Sequence, residues 1–280
     1  MSLRILVIVF TLGLVACAEP PDAFLLAQDP VNADDGRYGL VILEHHFGDP
    51  GVAVTGQFLA YHRHDRDWAL RSVLLPEQAW LTTDADLQCQ VIPKLAGDEA
   101  PHGWIDLLGV GTLRVSTADG VSVVVPGRDY PPISFSISGV VYDLPAGSAL
   151  PFQAGAQYRV ATLDEAPGGV GGQVDAPTAV RWIRHRLTDE GLDLQWSGAD
   201  DATIVISPHE GEAMGVVCNA QGNETRVPTA VLTALGEGPV RVTIANVIRR
   251  PLTVSGLYEA ELVFVTRDTF ELSMASTRNE

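Results

Sequence analysis

Lysine is nearly missing from this chain. Lys94 is the single one among 18 basic residues, and 35 acidic residues leave a formal charge of −17. That balance excludes nucleic-acid binding, which needs a basic footprint for the phosphates. It also excludes adsorption by charge to an anionic membrane surface. Long apolar runs are missing too. Ile5 to Val15 is about 11 residues, against the roughly 20 that a membrane-spanning helix needs. Helical periodicity is scarce after that run. No G-x-S-x-G, H-E-x-x-H, C-x-x-C or P-loop pattern occurs, so the usual hydrolase, metalloprotease, redox and nucleotide motifs have no foothold.

What is present begins at the amino terminus. Arg4 precedes the apolar run, and small residues follow at Ala16, Cys17 and Ala18, the layout of a secretory signal. Leu14-Val15-Ala16-Cys17 resembles the lipobox of bacterial lipoproteins. The resemblance implies cleavage before Cys17, a diacylglyceryl thioether on its sulfur and acylation of the freed amine. Two or more chains hold a protein on a membrane where one holds it only marginally. Ala18 is not the aspartate that resembles an inner-membrane retention signal, so the outer membrane is expected over the inner. Two further cysteines, Cys89 and Cys218, belong to a compartment where disulfides persist, and they either pair or serve as small buried hydrophobes.

The dominant pattern is alternation with period two. Ile133, Phe135 and Ile137 alternate with serines in PISFSISG. Leu192, Leu194 and Trp196 alternate with Asp193 and Gln195, and Val240, Val242 and Ile244 with Arg241 and Thr243. Each run places one face on a core and the other in solvent, as antiparallel sheets do. Turn signals punctuate them. Asp119-Gly120 suits a two-residue type I′ hairpin pairing Val115 with Val124. GDPG, from Gly48 to Gly51, closes a second hairpin that sets His45 opposite Val54 and His62 opposite Arg37.

These patterns predict an all-β chain of two antiparallel β-sandwich-like domains after the N-terminal signal segment. The expected divisions are a signal peptide over 1–16, a lipidated tether over 17–30 and a β-rich domain over 31–165. A Gly/Pro-rich linker over 166–177 follows, then a sandwich over 178–276. The order of strands in that last part, with tryptophan early and apolar alternation throughout, resembles a fibronectin type III or immunoglobulin-like sandwich. It lacks the Cys…Trp…Cys spacing of true immunoglobulin domains.

Candidate chemistry is sparse. His62 and His64 are two apart on a strand and share a face, so with Asp65 or another carboxylate they form the best metal-ligand set. The competing reading is a solvated strand end. The acidic stretch Asp29 to Gly36 departs from the calcium-loop spacing, because Val31 stands where the first ligand belongs. Asp84, Asp86, Asp200 and Asp201 read as solvated turns, and all five tryptophans read as core. No cofactor is expected, with calcium or a transition metal left open. The resulting expectation is a non-catalytic envelope lipoprotein that binds a protein or glycan partner and reaches the membrane through its lipid. The alternatives are a metal-dependent binder or hydrolase near His62 and His64, and a structural subunit or spacer of an envelope assembly.

Overall fold

The computed structural model describes residues 35–63, 65–75, 77–82, 89–92, 104–131, 137–163, 169–208 and 215–274. The chain enters on a long hairpin, β1 (Asp35–His46) and β2 (Gly51–His62), followed by helix α1 (Arg66–Val73) and a 3-10 turn at Ala79–Thr82. Short strands come next: β3 (Cys89–Ile92), β4 (Trp104–Leu107), β5 (Leu113–Thr117), β6 (Ser122–Val125) and β7 (Gly127–Asp129). They lead to β8 (Ile137–Asp143), β9 (Leu150–Pro151), β10 (Gln157–Thr162) and β11 (Val170–Asp175). The last part holds β12 (Arg181–Thr188), β13 (Gly191–Ser197), β14 (Asp201–Pro208), β15 (Gly215–Gln221) and β16 (Glu224–Pro228). A helical turn, α2 (Thr229–Leu232), precedes β17 (Gly238–Pro251), β18 (Thr253–Val254) and β19 (Glu259–Met274).

The fold class is all-β. One long sheet runs in the order β3-β15-β14-β17-β19-β1-β2-β4-β8-β7. A five-stranded sheet, β18-β11-β10-β5-β6, and a three-stranded sheet, β12-β13-β16, cover it. Side-chain parity along β19 shows where they sit. Leu262 and Phe264 enter one core with Val115, Tyr158 and Val160 of the five-stranded sheet. Phe270, of the same parity, enters a second core with Leu192, Leu194 and Trp196 of the three-stranded sheet. Both smaller sheets therefore lie on the same face of the long one. The opposite face, carrying Val263 and Val265, packs under Leu70, Val73 and Trp80 from α1 and the turn after it. A strand covered on both faces is buried at successive positions, so it is apolar wherever a polar side chain has no partner inside. The unbroken burial of Leu262 to Arg267 follows from that.

Two sandwich-like cores thus exist, but they do not divide the chain as expected. Strands β17 and β19, 14 and 16 residues long, run through both cores. Strand β3, from the first half, pairs with β15 in the second, and β18 joins the sheet of the first core. The residues expected as a linker carry β11, whose Tyr158-to-Val174 pairing ties it to β10. Val170 and Val174 are buried in the first core, so glycine there marks close sheet contact: a Cβ on Gly172 would lie 2.6 Å from a Leu252 methyl. The described residues accordingly form one compact unit. Nor are the sheets purely antiparallel. β1 lies parallel to β19, and β4 parallel to β8, because the first described strand inserts beside the last in the same direction.

Two hairpin registers also differ from expectation. The β5–β6 turn is a three-residue loop in which Thr117 N donates to Val121 O, with Gly120 at φ +91°. Val115 therefore pairs with Val123 rather than Val124. In the β1–β2 hairpin, His62 pairs with Asp35 and Leu43 with Val54, a shift of two that keeps every side chain on its expected face. Of PISFSISG only the end is described, as the start of β8; Ile133 and Phe135 lie outside the described residues.

Candidate functional site

The sequence-derived metal set does not assemble. His62, the last residue of β2, pairs with Trp104 and stacks on its ring, centroids 5.7 Å apart. Asp65 is the N-cap of α1 and accepts from Trp68 N at 2.7 Å, satisfying a helix-end donor that would otherwise be orphaned. His64 lies outside the described residues, as do Cys17, Asp84 and Asp86. Among the described residues, no group of three His, Cys, Asp or Glu is placed to hold a metal ion. Cys89 and Cys218 are joined by a disulfide between the cross-strand partners of β3 and β15. Trp104 departs from the core reading: it is 46 % exposed, while Trp196 is fully buried and donates Nε1–H to Ala199 O at 3.1 Å.

A charged cluster that sequence reading passed over sits on the helix-covered face of the long sheet. Glu44 and His46 are two apart on β1, and Arg267 on β19 is the cross-strand partner of His46. Arg267 Nε ion-pairs with Glu44 Oε1. Gln78, from the segment after α1, closes over them and donates to Glu44 Oε2 at 3.0 Å. All three of Glu44, Arg267 and Gln78 are buried. His46 Nε2 accepts from Arg267 Nε and Nη2 at 2.9 and 2.7 Å and lies 3.3 Å from Glu44 Oε1. Burial pushes the Glu44 carboxyl up. The His46 contact, the Arg267 guanidinium and the Gln78 amide together outweigh it and leave the carboxyl below its ordinary range.

The cluster was marked in the sequence by phase. Glu44 falls in step with Leu40 and Ile42, and Arg267 with Val263 and Val265, all buried on the same face. Charges in register with a buried apolar row have to find each other. Gln78 carries no such signal.

The row through Arg267 continues across the sheet. Ala245 pairs with Arg267, Thr203 with Ala245, and Asn219 with Thr203. Along this row lies an open groove of about 1250 Å³. Its floor is Thr203, Asn219, Val217, Ala245 and Val247, with Trp80 and Arg249 on one side. Asp200, Asp201, Gln221 and Arg226 stand at its end. Thr203 Oγ1 donates to Asn219 Oδ1 at 3.2 Å. Arg249 is held by Glu261 at 2.7 Å and by Leu81 O, which fixes the wall beside Trp80. The two aspartates expected as solvated turns therefore belong to a concave surface. Hydrogen-bonding side chains of both charges, set around an apolar floor, can orient a polar partner and exclude water from part of it.

No family model matches the chain, and no curated protein does. Among solved structures it is similar to the yeast delta-COP-I mu-homology domain complexed with Dsl1 WxWxV peptide, at 9% identity and TM-score 0.22, covering 86% of this chain and 98% of that one. The yeast delta-COP-I mu-homology domain by itself gives 9% identity and TM-score 0.14, over 86% and 97%. Likeness at that level carries no inference about this chain.

Proposed function

We propose that this protein is an envelope lipoprotein, tethered through Cys17, that binds a protein or glycan partner in the groove along Thr203, Asn219 and Ala245 without transforming it. The groove carries the reading. It is large, open and lined by side chains that hydrogen-bond, and its wall is held by Arg249 on β17 bonded to the turn that carries Trp80. The resemblance of Leu14-Val15-Ala16-Cys17 to a lipobox supplies the tether, and the net charge of −17 leaves membrane attachment to the lipid.

The test is photo-crosslinking in a bacterial host. A photoreactive residue replaces Gln221 at the groove end or, as control, Val124 on the remote strand β6, with Cys17 intact or changed to Ser. The expected result is a discrete adduct from position 221 only, on membrane-retained protein whose mass carries a lipid increment, with retention lost in Cys17→Ser. A soluble wild type without the increment overturns the tether, and equal adducts from both positions overturn the groove.

A further inference from the structure

Strand β12 is the outer strand of the three-stranded sheet, and among the described residues β13 is its single sheet neighbour. Its sequence, RWIRHRLT, brings three arginines into eight residues of a chain whose formal charge is −17. Arg184 and Arg186 point to the outer face, opposite Gln195 and Asp193; Asp193 is ion-paired with Arg226 and also feels the charge of Arg186 across the strand pair. His185 and Leu187 point the other way, opposite the buried Leu194 and Leu192. Even so, Leu187 is 42 % exposed, and Ile183, the extra residue of the bulge, is 52 % exposed.

The main chain along this edge is also identifiable. The two-residue turn Asp189-Glu190 makes Thr188 and Gly191 the closing, hydrogen-bonded pair. Alternation then turns the N–H and C=O of Leu187 and His185 away from β13. On the other side of the bulge, Trp182 N faces outward as well, and Asp268 Oδ2 accepts from it at 3.0 Å. The chain's own carboxylate already caps one outward amide and leaves the basic stretch beyond it open.

We infer that β12 takes up an extended, acidic peptide segment of a partner protein as a fourth strand. Pairing with Leu187 and His185 fixes the segment's faces. Its residues opposite Arg184 and Arg186 share their outer face, so acidic side chains two apart meet the two arginines. The residues between them meet His185 and Leu187, so they are apolar. A second copy of this chain does not fit, because two β12 edges brought together set arginine against arginine. The same charges that deter self-pairing select the acidic partner. This surface is separate from the groove floor, and the inference stands without the groove reading or the lipid anchor.

The experiment uses the purified full chain and a twelve-residue peptide alternating glutamate and valine, with a glutamine–valine peptide as control. Binding is read by fluorescence anisotropy, and amide hydrogen exchange is followed at His185 and Leu187. The glutamate peptide is expected to bind and to slow exchange at both amides. R184Q/R186Q should weaken it at least about tenfold, close to 1.4 kcal/mol, with an unchanged thermal melt. Leu187→Pro, which removes an outward N–H, should weaken it without changing the charge. Equal binding by R184Q/R186Q overturns the inference. So does binding that leaves the two amides exchanging freely while phosphatidylglycerol vesicles bind in an arginine-dependent way, since that outcome makes the patch a lipid-facing one.

Discussion

Replacing Arg267 by Met should be among the most damaging single changes in this protein, and the damage should depend on pH in a definite direction. Glu44 and Arg267 are 8 % and 9 % exposed, so each depends on the other for what water would have supplied. Removing the guanidinium leaves the carboxylate with the Gln78 amide and His46, under a helix-covered sheet face. Breaking a buried pair from one side costs about 3–5 kcal/mol, a large share of the roughly 5–15 kcal/mol that holds a domain together. Removing both charges together, as Glu44→Met with Arg267→Met, should cost far less, because the desolvation penalties leave with them.

The pH dependence separates this account from a simple loss of packing. In the wild type the Glu44 carboxyl is held below its ordinary value. Its contribution is therefore complete above the unfolded value, near 4.3, and is lost as pH falls through the folded value. In Arg267→Met the carboxyl loses the guanidinium, one of the interactions that hold it down, and its folded value rises relative to wild type. The variant then recovers relative to wild type as pH drops through that higher value and Glu44 protonates. Urea titrations followed by tryptophan fluorescence at pH 7 and pH 4 measure both. A gap between wild type and variant that is constant over this range, or a double variant as unstable as the sum of the singles, would refute the reasoning.

Two further outcomes follow from single contacts. Asp65→Ala should cost about 1 kcal/mol in thermal or urea unfolding through loss of the α1 cap, with Asp65→Asn close to wild type; if Asn is as damaging as Ala, the carboxylate has a role beyond capping. Reducing the Cys89–Cys218 bridge, which spans 129 residues of sequence, should lower stability by about 2–4 kcal/mol. A melting temperature unchanged by reductant, with the thiols shown free by mass, would contradict that.

How much of this was legible can be read from particular residues. The alternation of Leu192, Leu194 and Trp196 located β13 and its buried face, and the alternation through Val240 and Ile244 located the first half of β17. Helix α1 was missed because it is one eight-residue amphipathic segment, with Ala69, Leu70 and Val73 inward, too short to stand out against strand patterns. Hairpin registers slipped where the turn was longer than its dipeptide suggested, as at Asp119-Gly120. The linker reading failed at β11 because glycine serves two opposite purposes: it loosens a chain in solvent and lets sheets approach closely in a core. Gly172 is in the second situation, and composition does not distinguish them. The groove was illegible for a topological reason. Its residues come from β3, β14, β15, β16, β17 and the segment after α1, and only strand order in space brings them together.

The long strands explain why one sheet can serve two cores and two surfaces at once. Along β19 the even positions change allegiance near Thr266: Leu262 and Phe264 serve the first core, and Phe270 the second. At the changeover, Thr266 Oγ1 donates to Thr178 O at 2.9 Å, while Asn246 Nδ2 donates to the same carbonyl at 3.2 Å. That carbonyl belongs to the segment passing from β11 to β12, so the crossover between the smaller sheets is pinned to the large one by polar contacts as well as by the burial of Ala176 and Val180. On the reverse face, the odd positions lead through Arg267 to the groove. Displacing β19 would therefore disturb the Glu44 cluster, the groove floor at Ala245 and the Asp268 cap on β12 together. The candidate surfaces are mechanically linked through one strand.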